Sequence, residues 1–129
     1  MLAADDYKCQ QAASPKEALD ILNSGEESHL LLCNLSESLE TGLIERVTER
    51  FPDIPVVMTG AQPISLFLRA LRMGAYDYLA VPFERELLLA TVRRAIEYRR
   101  LKLENRAYQA KVARLARKSS TSSRAGAHR

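Results

Sequence analysis

Apolar residues along this chain alternate between two arrangements: short unbroken runs, and stretches in which they recur every three or four positions. Leu30 to Cys33 and the stretch Ile54-Pro55-Val56-Val57-Met58 are unbroken runs bounded by polar residues or proline, as expected of parallel strands covered on both faces. The first of them is expected at the centre of a sheet. Tyr76 to Val81 is a shorter strand running into Pro82-Phe83, and Tyr7 to Ala12 is extended and mixed, as an edge strand is. Helical spacing governs the intervening segments. Ser14-Pro15-Lys16-Glu17 combines a capping serine, proline at the first helical position and glutamate three residues after the cap, so a helix is predicted through Leu22. Leu43, Ile44, Val47 and Phe51 mark a second helix, and Ile64 to Met73 a third that ends at Gly74. From Glu84 one helical pattern runs without interruption to about Lys118. Strands alternating with helices make a parallel sheet with helices on both faces the economical solution, an α/β fold whose ligands sit beyond the carboxyl ends of the strands. Asn34, Thr59 and Val81 stand at such ends.

Charge divides the chain more sharply than its net value of +3 suggests. Residues 1 to 98 hold 9 Lys/Arg against 15 Asp/Glu, whereas residues 99 to 129 hold 10 against the single Glu104. An acidic α/β unit is therefore expected to carry a basic helix. The chain's 129 residues suit one domain, and no apolar run is long enough to cross a bilayer. No secretory leader is recognised, which points to the cytoplasm. Cys9 and Cys33 lack metal-ligand spacing and are expected as buried free thiols. Neither His29 nor His128 has a ligand set nearby, so no metal or other cofactor is expected. Asn34-Leu35-Ser36 matches the glycosylation acceptor pattern, but a strand end in a chain without a leader is no substrate for it. No nucleophile and base pair is present, and enzymatic activity is not expected.

Four blocks of this sequence resemble the bacterial response-regulator receiver domain of two-component phosphorelay signalling: SPKEALDIL, HLLLCNLSESLETG, FPDIPVVMTG and LRMGAYDYLAVPF. The resemblance covers roughly residues 7 to 98 and implies a flavodoxin-like, receiver-like fold. It also implies a phosphorylation pocket built from an aspartate at a strand end, an acidic pair that holds Mg²⁺, a Thr or Ser, and a lysine. Asn34 falls on the acceptor position, eight residues before Gly42, and Val81, directly before Pro82-Phe83, falls on the lysine position. Thr59 matches the hydroxyl, and Tyr78 the aromatic that changes its burial as the family switches; a reading of both as merely packed side chains carries more weight here. A neutral amide is a poor nucleophile and offers no charge to a hard cation, so a degenerate pocket, a pseudo-receiver, is expected.

Asp5-Asp6 imitates the acidic pair, yet only Tyr7 to Ala13 separates it from the capped helix, which leaves no room for the family's first helix. Residues 1 to 98 are thus expected to form a receiver-like domain lacking the first strand and most of the first helix, with lowered stability and an exposed apolar edge.

Beyond it, Tyr98, Leu101, Asn105, Tyr108, Val112 and Leu115 follow 3, 4 spacing, the a/d seam of a coiled coil, with Asn105 at a position that favours a parallel pair. Residues 99 to 118 are expected as a coiled-coil extension forming a homodimer, and 119 to 129 as a disordered tail. A signalling protein, a kinase or an effector, is the expected partner. Competing readings are an N-terminal piece of a larger regulator with an enzymatic effector, and a basic helix that binds nucleic acid; the solvated coil is weighed above the latter.

Overall fold

Val56, Val57 and Met58 lie at the middle of a sheet that buries them on both sides. In this computed structural model the backbone is described for residues 7–123 and the side chains for residues 7–118. The elements run α1 (Pro15–Leu22), β1 (Leu31–Asn34), α2 (Leu35–Thr41), α3 (Leu43–Arg50), β2 (Val56–Gly60), α4 (Ile64–Arg72), β3 (Asp77–Ala80) and α5 (Arg85–Ser123). The described sheet has three parallel strands in the order β1-β2-β3, so every connection is a crossover through helix. Leu31 pairs with Val56 and Asn34 with Thr59; on the other side Val57 pairs with Asp77 and Gly60 with Ala80.

Alternation along β2 divides the core. Val56 and Met58 join Leu35, Ile44, Val47, Phe67 and Ala70 from the helices on one face. Val57 joins Leu79, Leu88, Val92 and Ala95 on the other, where α5 packs and where Tyr7 and Leu30 lend partly buried surface. A strand buried on both faces cannot alternate polar and apolar residues, which is why the VVM run reads as continuous hydrophobe.

Local signals predict the helix ends well. Ser14 caps α1, its hydroxyl accepting from the Glu17 amide at 3.1 Å with Pro15 in the first turn. Gly42 takes φ +68° between α2 and α3, a left-handed turn open to glycine.

Three expectations are corrected. Tyr7 to Ala12 forms no strand, because a strand exists only where a neighbour supplies its hydrogen bonds and no described strand lies beside it. Among the described residues β1 is accordingly an edge strand and not a central one, with alternate residues exposed and Leu32 at 38%. α5 continues through Ser123, past the boundary expected at Lys118; the rest of the expected tail and the Asp5-Asp6 pair lie outside the described residues.

By contacts the chain divides into two compact units, one through Arg99 and one from Arg100 onward, and α5 contributes to both. Within the first, Arg99 reaches Glu27 at 3.3 Å and Tyr98 packs its ring on Tyr76, centroids 4.9 Å apart. Within the second, Arg100 and Glu104 form an ion pair one turn apart.

Candidate functional site

The carboxyl ends of three adjacent parallel strands bring Asn34, Thr59 and Val81 to one rim of the sheet. Asn34 and Thr59 are register partners, and the Val81 amide donates to the Gly60 carbonyl at 2.9 Å, extending the ladder by one step beyond β3. The Val81-Pro82 peptide is cis, and the Val81 side chain is half exposed.

Asn34 answers a question its position raises, for its side chain caps α2. The Oδ1 atom accepts from the Ser36 amide at 3.0 Å, the Glu37 amide at 3.4 Å and the Ser36 hydroxyl at 2.7 Å. Its own carbonyl accepts from the buried Ser38 hydroxyl at 2.6 Å. Free amides at the first turn of a helix need such an acceptor, and asparagine with extended backbone (φ −80°, ψ 134°) supplies it. Helix α2 was missed in the sequence, although Asn34 followed three residues later by Glu37, with Leu35 and Leu39 a turn apart, is a recognisable start signal.

Thr59 is half-buried at the end of β2. It pairs with Leu79, whereas Tyr78 pairs with Met58 one step earlier, so the hydroxyl and the ring issue from opposite faces of the sheet. Tyr78 stacks on Phe67 with centroids 4.0 Å apart and 19° between the planes, part of the helical core on its own side. Thr59 and Tyr78 are therefore not brought together on one face. Gln62, absent from the sequence reading, folds its amide over Gly60 at the rim, where a Cβ would collide with it. Its Oε1 is buried with no hydrogen-bond partner among the described residues.

Nothing at the three strand tips suits a divalent cation that takes carboxylate oxygens: they offer one neutral amide already engaged as a cap, one hydroxyl and one hydrocarbon. Among the described residues no group of three His, Cys, Asp or Glu side chains could hold a metal. One residue before the tip, burial pushes the Cys33 thiol up from its ordinary range; the hydrogen bond with Ser38 opposes this and the nearby Glu37 charge adds to it. Cys9, expected buried, is exposed, because the strand expected to hold it does not form.

Because α2 starts at the rim, the cap has a measurable weight. Asn34→Ala is expected to lower the unfolding free energy by about 1 kcal/mol, and Asn34→Asp, which caps equally well and places negative charge at a helix start, to change it by no more than about 0.5 kcal/mol. Urea titration of the three proteins decides: an alanine variant as stable as the parent means Asn34 does not cap.

The seam residues lie on α5. Val112 is 43% and Tyr108 67% exposed, with Tyr98, Leu101 and Leu115 between these values and Asn105 exposed as well. No described helix is long and apolar enough to cross a membrane.

Comparison with known proteins agrees with this architecture, although no family model matches the chain. The chain is 48% identical over 65 residues, half of its length, to the C4-dicarboxylate transport transcriptional regulatory protein DctD of Pseudomonas aeruginosa, covering 14% of that protein. It is 33% identical over 115 residues, 86% of its length, to the NtrX-like response regulator of Rickettsia typhi, covering 24% of it. The chain thus spans a quarter or less of these relatives. Among solved structures, a response regulator from Chloroflexus aurantiacus superposes with a TM-score of 0.67 at 30% identity, over 74% of this chain and 82% of that one. With a parallel sheet, crossover helices and this likeness in sequence and structure, the chain belongs to the response-regulator receiver family.

Proposed function

We propose that this chain is a receiver-like module of a two-component phosphorelay system that does not accept phosphate and acts by protein contact and pairing of α5. The observation that carries the reading is the state of Asn34. Phosphoryl acceptance requires a carboxylate that attacks phosphorus and becomes an acyl phosphate; the amide here has little nucleophilicity and its oxygen is committed to three donors of α2. Val81 is consistent with that state, since an ammonium beside a pocket without carboxylates would be a partly buried unpaired charge costing several kcal/mol, about 3–5 when such a pair is broken in a protein interior. The module works in the cytoplasm and performs no chemistry of its own.

Two surfaces support action by contact. The exposed seam of α5 repeats through Tyr98, Leu101, Asn105, Tyr108, Val112 and Leu115, and a second copy in parallel register would place Asn105 against Asn105 of that copy. On α4, Ile64 and Leu68 are exposed one turn apart, with Leu71 and Arg72 beside Leu68 in a shallow depression, a surface for a kinase or an effector. Because the chain covers 14% to 24% of the curated relatives, a second reading places it as the receiver portion of a larger regulator whose effector lies outside these residues.

One experiment tests both parts. The protein is incubated with acetyl phosphate and Mg²⁺, or with beryllofluoride and Mg²⁺, and then followed by intact mass and sedimentation velocity. The expected result is no adduct of phosphate mass and a dimer, reduced to monomer by Tyr108→Glu, whose population neither reagent changes. An adduct on Asn34 or its neighbours would overturn the first part, and a monomer at every concentration the second.

A further inference from the structure

The second unit carries more on α5 than a pairing seam. From Arg100 to Lys118 it holds seven Lys/Arg against one Glu, and the positions are not scattered. At about 100° per residue, Arg106, Arg114 and Arg117 lie ~140–160° round the helix from the mid-line of the seam, with Ala110 between them. Lys102, Lys111 and Lys118 lie about 80–100° from that mid-line, on its flanks. All of these side chains are exposed except Lys102, which is half-buried.

We propose that the face of α5 opposite the seam, with Arg106, Arg114 and Arg117, binds the phosphate backbone of a duplex nucleic acid. Three features favour this ligand. The stripe is all arginine, whose planar fork matches phosphate oxygens two at a time, whereas the flanks hold three lysines and Arg100, which is paired with Glu104. Alanine between the arginines leaves the helix surface low, so a groove wall can approach the backbone closely. From Arg100 to Lys118 the cations outnumber the anions seven to one, and a polyanion meeting such a helix releases its own counterions. A membrane surface fits less well: burying the apolar seam in a lipid interface would aim the arginine stripe into water, away from the headgroups. The stripe lies on the side a second copy leaves open, so binding does not depend on the pairing proposed above.

The whole chain is titrated into a fluorescein-labelled 20-base-pair DNA duplex at several salt concentrations, with anisotropy as the readout and sedimentation run in parallel. Expected is a slope of log affinity on log salt of about −3, for the three arginines of one helix on one duplex. Arg106→Gln/Arg114→Gln/Arg117→Gln is expected to flatten that slope by about 3 units per helix and to weaken binding at low salt at least about tenfold. The charge-matched Lys102→Gln/Lys111→Gln/Lys118→Gln protein is expected to lose about threefold or less. Glutamine keeps helix propensity, and circular dichroism verifies that α5 survives in both. Equal losses in the two variants, or no binding by the parent at low salt, would overturn the proposal. So would retention on phosphatidylglycerol vesicles that matches retention on DNA and disappears with Tyr108→Glu, which would give the helix to a lipid surface. A monomer that still binds DNA with the arginine dependence would leave this inference standing and remove only the pairing.

Discussion

Replacing Phe67 with alanine is expected to lower the unfolding free energy by about 3–5 kcal/mol, the largest effect of any single truncation in this chain. Phe67 is 1% exposed and sits where α4 meets the sheet. Its ring stacks on Tyr78 of β3 and belongs to the cluster of Met58, Ile44, Val47 and Leu35, so it joins α4 to two strands and two further helices. Removing it leaves a cavity that three strands and their short helices cannot close without moving the sheet. Domains of this size have total stabilities of about 5–15 kcal/mol, so the variant should lose a large share of that margin. Phe67→Leu, which keeps most of the volume, should cost about 1–1.5 kcal/mol. Urea unfolding followed by far-ultraviolet circular dichroism gives both numbers. A loss below about 1 kcal/mol for alanine would mean that the ring does not anchor α4.

The second large effect is expected at Gly74, just past α4. Its φ of +116° is closed to most side chains, and a Cβ there would stand 2.6 Å from Thr48 Cγ2 and 2.7 Å from Thr48 Oγ1. Thr48 cannot swing aside freely, because its hydroxyl donates to the Ile44 carbonyl at 2.7 Å. Gly74→Ala should therefore destabilise by about 2–4 kcal/mol, backbone strain and collision together. The two contributions separate in a double-mutant cycle: Thr48→Ala in the Gly74→Ala background should recover the collision and leave about 1–2 kcal/mol of strain. Strictly additive losses in the cycle would show that α3 and the end of α4 do not touch as described.

How much of this was legible beforehand depended on the range of the interactions involved. Ser14 and Pro15 declare the start of α1, and Gly74 the end of α4, within four residues of the event. Asn34 and Glu37 declare α2 in the same way, and the helix went unrecognised only because serine-rich LSESLET carries little periodicity. Tyr7 to Ala12 is different. Its sequence suits an edge strand, but a strand is made by its neighbour, and no local pattern records whether that neighbour is present. Cys9, expected as a buried thiol within that edge strand, is exposed by the same absence.

By itself, then, the amino-acid sequence determined the periodicities that make the helices and strands, the division between an acidic stretch to residue 98 and a basic one after it, and the identity of the groups at the strand tips: an amide, a hydroxyl and a hydrocarbon where phosphoryl chemistry needs charge. These are properties of a residue and its near neighbours. Only the tertiary structure decided that β1 is an edge, that the Asn34 oxygen is spent on α2, and that Thr59 and Tyr78 leave the sheet on opposite faces. Each of these depends on which backbone lies alongside and in what register. A shift of one residue there moves a side chain to the other face without altering any local pattern.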